Sequence, residues 1–340
     1  MELGLSEDQK VIGEVFGAFF TKESPASVAR AAEPLGFDRS LWDRLGALDA
    51  PGMGATEADG GGGAGLSELV VVAEALGRAI APVPLIEHIV ASRLLAAPDV
   101  VSGASIATVS LRPATAEGTW RLVPAGAVAD VVVGVDGDDV VAVRSTPPGD
   151  GPRNHACSPL ADRSARGPGR EVIGSRSAFD TALDEWKTLT AAALVGIAAT
   201  ALEMGVEYVL ARHQFGVPVG SFQAVQHGLA DLPALIDGSR LLTHKAAWAA
   251  DRSEPGICDV GDNDITDPTV LASMAFVFSG DAAIQATDRS LHYHGGYGFS
   301  AEYDIQLFYR RARGWSLVYD DPQRECLRLA DRLFGPVEAR

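Results

Sequence analysis

Cysteine is scarce: Cys157, Cys258 and Cys326 are the only three in 340 residues, and no Cys-x-x-Cys pair occurs. That spacing speaks against a disulfide framework or a cysteine-based zinc site, and a reduced, cytoplasmic setting is expected. Positive charge is also in short supply. Lys and Arg number 28 against 45 Asp and Glu, a net charge of −17, so neither nucleic acid nor an anionic membrane is expected as a partner. Long apolar runs are missing too. The longest uncharged helical stretch, 188–202, is too short for a bilayer and rich in Ala, Thr and Gly, which suits a buried helix. The first ten residues are polar and acidic, unlike a secretory signal.

What remains is an apolar content of 47% on a chain long enough for two or three packed units. Residues 1–99 read as an N-terminal helical domain. Ser6 with Glu7, Asp8 and Gln9 has the chemistry of a helix start, and Val11, Ile12, Val15, Phe16 and Phe19 follow at helical spacing. A second amphipathic helix is predicted over 66–80, stopped by Pro82 and Pro84. The glycine-rich stretch 59–65 follows no strand and lacks the Gly-Lys-Ser/Thr ending of a phosphate loop, so it reads as a plain loop. Residues 100–182 read as a short middle β domain, with β-branched runs at 129–135 and 140–143 around an Asp136-Gly137-Asp138-Asp139 turn. Residues 183–340 return to helix. Runs at 187–212, 222–251, 269–290 and 302–313 predict a four-helix bundle, with an acidic surface loop at 259–267.

Two segments carry chemistry. Arg212-His213-Gln214-Phe215-Gly216 puts a guanidinium, an amide and an aromatic ring at the end of an apolar helix. His294-Gly295-Gly296-Tyr297-Gly298-Phe299, some eighty residues on, is a turn where backbone can come close to a ligand. Taken singly, each has a plain structural reading: an Arg closing a helix, and glycines making a turn. Together, a guanidinium fork and open backbone N–H groups suit the pyrophosphate of a nucleotide-type cofactor.

Extended through Val217-Pro218-Val219-Gly220-Ser221-Phe222-Gln223 to Asp231, the first segment resembles the R-x-Q-F-G-x-P pattern of the acyl-CoA dehydrogenases. The second, with Glu302-Tyr303 and Arg310-Arg311-Ala312, is similar to that family's H-G-G-x-G-F-x-x-E-Y and the basic pair after it. The resemblance implies a mainly α fold: a helical N-terminal domain, a β-barrel-like middle domain and a C-terminal four-helix bundle. It also implies FAD shared across a subunit interface, an acyl-CoA substrate, and an electron-transfer flavoprotein or similar acceptor. By resemblance, Arg212 would contact the pyrophosphate, Phe215 would pack on the dinucleotide and Gln223 would reach the adenine side. Gln214 belongs to the same motif, and Gly295, Gly296 and Gly298 would let the turn approach. His292 stands where the family has Gln; an imidazole can also donate to phosphate.

The family's catalytic base has no obvious counterpart. That reaction takes a proton from the carbon beside a thioester, which calls for a buried carboxylate with a raised pKa. Of the two places where the family carries its Glu, one holds Tyr319, followed by Asp320-Asp321-Pro322, and the other holds Trp186, with Glu185 one residue away and Lys187 in place of Arg. Asp320-Asp321-Pro322 reads chiefly as a helix start. The flavin-covering segments of the middle domain are not matched by 106–112 or by 118–122, and Trp120 reads as a core aromatic. His88, His155 and His244 read as surface or satisfied core residues. A chain that keeps the nucleotide clamp without the base resembles the short subunit of actinobacterial heterotetrameric acyl-CoA dehydrogenases acting on steroid side-chain thioesters. In those, a longer homologue supplies the flavin-ring site and the base. Two other readings stay open: a self-sufficient homotetramer using Asp320 or Glu185, and a non-catalytic structural or CoA-binding paralogue.

Overall fold

A computed structural model describes residues 4–252 and 265–335. Helix α1 (Glu7–Glu23) opens with a capping box, Ser6 and Gln9 each bonding the other's backbone N–H. Short helices α2 (Ala26–Ala31) and α3 (Arg39–Gly46) follow, then α4 (Leu66–Arg78), α5 (Leu85–Leu95) and α6 (Pro98–Val101). The glycine-rich loop leads into α4, and the Asp251 carboxylate accepts the Leu66 and Ser67 N–H groups at 2.6 and 2.8 Å. A side chain of the protein thus fills the helix start that an anion would otherwise use.

The middle region holds β1 (Ala107–Val109), β2 (Thr119–Val123), β3 (Val131–Asp136), β4 (Asp139–Arg144), β5 (Ala161–Ser164) and β6 (Arg170–Gly174). They make a four-stranded sheet in the order β1-β3-β4-β6 and a separate pair β2-β5, so the barrel-like shape expected here is two sheets. The predicted hairpin is present, with Asp136 opposite Asp139 across Gly137 and Asp138. Alternation along β3 sends Val131, Val133 and Val135 to the main helical core. Val132 joins Trp120, Val123, Val141 and Val143 in a small core shared with the β2-β5 pair. Trp120 is fully buried and donates to the Val135 carbonyl at 2.9 Å, a core role.

Helix α7 (Arg176–Ala211) begins just after the Ser175 cap, eleven residues before the predicted 187, and Phe179, Ala182, Leu183 and Trp186 carry its apolar spacing through those added turns. The dyad β7 (His213–Gln214) and β8 (Val217–Pro218) follows. The helix expected over 222–251 is two helices, α8 (Gln223–Ala230) and α9 (Leu232–Asp251), divided at Asp231 with Pro233 in the first turn of the second. Then come α10 (Pro268–His294), α11 (Ile305–Trp315) and α12 (Pro322–Phe334). The acidic loop at 259–267 lies mostly outside the described residues, as does Cys258; its last residue, Asp267, caps α10. Cys157 and Cys326 are free thiols.

Helix α7 runs through the molecule and touches α4, α9, α10 and α11. Gly77 on α4 and Gly196 on α7 let two backbones meet: a Cβ on either would overlap a carbonyl of the facing helix. Both α7 and the segment Pro268–Phe299 are long and apolar enough to cross a bilayer, but 72% and 61% of their most apolar stretches are buried inside the protein. The apolar character is accounted for by the bundle core.

Candidate functional site

Arg212 follows the last turn of α7, its N–H still donating to the Tyr208 carbonyl at 2.9 Å while its own backbone is extended. The chain then makes a tight hairpin in which Gln214 faces Val217. The two turn residues, Phe215 (φ +54°) and Gly216 (φ +81°), both lie in the left-handed region that a two-residue hairpin favours. Gly216 takes it freely, but a phenylalanine there costs about 1–3 kcal/mol. Phe215 is also 93% exposed and touches one other ring, Phe222, edge-on at 6.3 Å. A strained backbone holding an aromatic ring out in solvent does nothing for the stability of the chain itself. Val219 N–H then bonds back to the Arg212 carbonyl at 2.7 Å, closing the loop and starting α8 at Gln223.

The second motif is built at the end of α10. His294 is buried, its ring stacked on Tyr208 at 4.1 Å and its Nδ1 2.7 Å from the Ser290 carbonyl. Burial lowers its pKa against the opposing pull of that carbonyl. Gly295 (φ +62°) then reverses the chain, and Gly295 and Gly296 face open space. Gly298 is different: a Cβ there would sit 2.6 Å from the Leu291 carbonyl, so it is required by packing. Tyr297 and Phe299 are left 51% and 71% exposed.

The two motifs meet. The Arg212 guanidinium lies over the Tyr297 ring, 5.8 Å from its centroid, and no carboxylate among the described residues pairs with it. Tyr293 Oη donates to the Ala224 carbonyl at 3.3 Å, tying the start of α8, with Gln223, to the turn of α10 that carries His292. His292 is exposed, with its ring beside Tyr293. Gln214 stands apart: its amide folds onto the carbonyl of His213 at 2.7 Å. An unpaired guanidinium, open glycine backbone and exposed rings form a surface suited to a phosphate-bearing, flat-ringed ligand.

The two positions compared with the family's base also come together, inside the protein. Trp186 is 1% exposed and its ring lies 6.2 Å from that of Tyr319, with Phe276 tilted against Trp186 at 5.7 Å and edge-on to Tyr319 at 6.3 Å. Three aromatic rings occupy the place. Glu185 points elsewhere, held by Arg93 through two 3.0 Å bonds. Asp320 is tied to Arg328 at 2.6 Å, and Asp321 is the residue that caps α12. Lys187 reaches Glu325 at 2.8 Å, inside the bundle. The carboxylate that does face this region, Glu87, escaped the sequence reading. Its Oε1 lies 3.4 Å from Trp186 Nε1, and burial raises its pKa over the opposing effects of its own backbone and Trp186. A lone acid within Leu85-Ile86-Glu87-His88-Ile89-Val90 was the available signal. The neighbouring His88 is fully buried and bridges the Val100 carbonyl and the Ala107 N–H, its pKa lowered by burial to about 4. The cleft beside Glu87 has a volume of only ≈ 60 Å³, far below the ~300 Å³ of a cofactor-sized pocket. A flavin ring does not fit it.

The acyl-CoA dehydrogenase N-terminal domain family matches residues 6–104, and the acyl-CoA dehydrogenase C-terminal domain family matches residues 174–318. The chain belongs to the acyl-CoA dehydrogenase family. Acyl-CoA dehydrogenase IpdE2 of Mycolicibacterium smegmatis is 28% identical over 97% of this chain and 100% of its own length. Its namesake in Mycobacterium tuberculosis is 29% identical over 96% and 98%. Among solved structures, a variant of the Tcur3481-Tcur3483 steroid ACAD superposes with a TM-score of 0.83 at 26% identity, covering 98% of both chains. The ChsE4-ChsE5 complex of Mycobacterium tuberculosis, at 23% identity over the full length of both chains, shares the fold with a TM-score of 0.84.

Proposed function

We propose that this chain is one subunit of a heteromeric, FAD-dependent acyl-CoA dehydrogenase, and that it holds the adenosine-pyrophosphate half of FAD. A longer homologue would carry the flavin ring and the catalytic carboxylate. When bound, FAD supplies the hydride acceptor for α,β-desaturation of an acyl-CoA thioester. The residues of this chain bind and orient: Arg212 would hold the pyrophosphate, Gly295 and Gly296 would present backbone N–H groups to it, and Phe215 and Gln223 would flank the adenosine. The observation that carries the proposal is the contrast between two places. Packed rings of Trp186, Tyr319 and Phe276 stand where a base is needed, while Arg212 and Phe215 face outward. A steroid side-chain thioester is the substrate class suggested by the steroid ACAD to which the chain is similar.

The test is to purify the chain alone and with a co-expressed longer homologue, then quantify flavin and acyl-CoA oxidation. The lone chain should be colourless and inactive, and the pair yellow and active. A yellow, active homo-oligomer whose turnover is lost in Asp320→Asn or Glu185→Gln would favour the self-sufficient reading instead.

A further inference from the structure

Helix α12 has its polarity reversed. A surface helix ordinarily lays its apolar stripe on the core and shows its charges to water. In α12 the buried residue is Glu325, held by Lys187 at 2.8 Å and Ser273 at 2.6 Å. Arg328 pairs with Asp320 and Glu325, and Arg332 pairs with Asp267 at the start of α10. Ion pairs thus fasten the helix to the bundle. Its apolar residues lie on another side. At ~100° per residue, Cys326, Leu327, Ala330, Leu333 and Phe334 fall within an arc of about 120°, and all five are exposed. Leu327 and Phe334 keep 67% and 86% of their surface. None of the five joins a hydrophobic cluster of the described residues. An uncovered apolar stripe of this kind marks a place where another surface docks.

The stripe is symmetric about Ala330. Cys326 and Leu327 stand four and three positions before it, and Leu333 and Phe334 three and four positions after it. An antiparallel copy related by a two-fold axis through Ala330 sets Leu327 against Leu333 and Cys326 against Phe334, twice over. The small side chain falls at the crossing, where two backbones come nearest. That is the arrangement of an isologous contact, in which one patch meets itself. Charge favours the same place. The chain as a whole carries −17, which keeps copies apart over most of the surface, yet α12 has three arginines against two acids. Area sets the strength. A 13-residue helix with three large exposed apolar side chains supplies less than the ~800 Å² per partner of a standard interface, so the pairing is reversible in the lone chain.

We propose that α12 is a homotypic docking helix: two copies of this chain pair antiparallel through the stripe centred on Ala330. The contact lies beside Lys187 near the start of α7, whereas Arg212 follows its last turn. It is therefore separate from the Arg212 surface and does not depend on where FAD binds.

Sedimentation velocity on the full-length chain should show its average mass rising between about 1 and 300 µM, as for a pair with a Kd of ~100 µM. Leu327→Asp and Phe334→Asp should each weaken pairing at least tenfold and leave the melting temperature unchanged, because these side chains pack on nothing in their own chain. Cross-linking reads the geometry. In a Cys326→Ser background, Ala330→Cys should oxidise to a disulfide-linked dimer, since helices crossing at a small residue bring the two Cα atoms within the roughly 4.4–6.8 Å a disulfide spans. Gln323→Cys in the same background, equally exposed but about 20 Å from its mate along the paired helices, should stay monomeric. A mass independent of concentration, or equal cross-linking at 323 and 330, would overturn the proposal. So would a chain that is monomeric alone and loses its complex with a longer homologue on Leu327→Asp, which would assign the stripe to that homologue.

Discussion

The surface around Arg212 and the interior around Trp186 differ in almost every physical respect. One keeps a guanidinium without a counter-ion among the described residues, a strained phenylalanine in solvent and glycines facing open space. The other is closed by three interlocked rings, with an ion network at its edge where Lys187 meets Glu325, Ser273 and Asp184. A side chain held out at an energetic cost needs a partner to justify it, whereas a packed interior needs none. The proposed division of labour requires such a difference: an outward-facing binding surface at the first place and a closed core at the second.

That contrast can be broken at either end. Arg212→Ala should weaken FAD retention in the complex with the longer homologue by about 2–4 kcal/mol, roughly thirtyfold to a thousandfold, because a charged anchor is lost. The same substitution should leave the melting temperature of the lone chain unchanged. Trp186→Ala should do the reverse. Truncating a fully buried tryptophan costs about 3–5 kcal/mol of stability, measurable by denaturant titration, with no direct effect on the distant clamp.

Glu325→Gln, which leaves the buried Lys187 with Asp184 at 3.4 Å as its counter-ion, should cost on the order of 1–3 kcal/mol. Its pH signature follows from two opposite shifts. Burial works against the charge of Glu325, but Lys187, Ser273 and Arg328 outweigh it and lower the pKa below the ordinary 4.5. Burial also works against Lys187, yet Tyr319, Asp184 and Glu325 raise its pKa above 10.5. The stability contributed by the carboxylate is therefore present above 4.5 and lost as pH falls through its lowered value. That of the ammonium is present below 10.5 and lost as pH rises through its raised value. The difference in melting temperature between wild type and Glu325→Gln should be a plateau between those limits and shrink outside them. The smallest effect is the sharpest: Phe215→Gly should stabilise the lone chain by about 1 kcal/mol by relieving the positive-φ strain, yet weaken the complex. A variant more stable alone and poorer at binding would mark the residue as held for a partner.

Much of this was legible in the sequence, and the reasons are local. The Ser6 cap, the hairpin at Asp136–Asp139 and the glycine reversal at Gly295 each depend on a few adjacent residues, and each stands as read. The two motifs stood out because each carries an unusual residue string, and they do come together where Arg212 lies over Tyr297. What escaped was decided by tertiary contact. The start of α7 is the exception, since the Ser175 cap and the helical spacing of Phe179, Ala182, Leu183 and Trp186 are both local signals. The break at Asp231 sits inside a run whose apolar spacing carries through it. Glu185 sits one residue from Trp186, but Arg93, 92 residues away, determines where its carboxylate goes. The place of Glu87 beside Trp186 becomes visible only when α5 and α7 pack together.

The most direct test of the central claim is the flavin content and acyl-CoA oxidation rate of this chain purified by itself, set beside the same measurements on its complex with a longer homologue. The account predicts no flavin and no turnover alone, with both restored in the complex and FAD lost again on Arg212→Ala. A lone chain that retains stoichiometric FAD and oxidises acyl-CoA would contradict it.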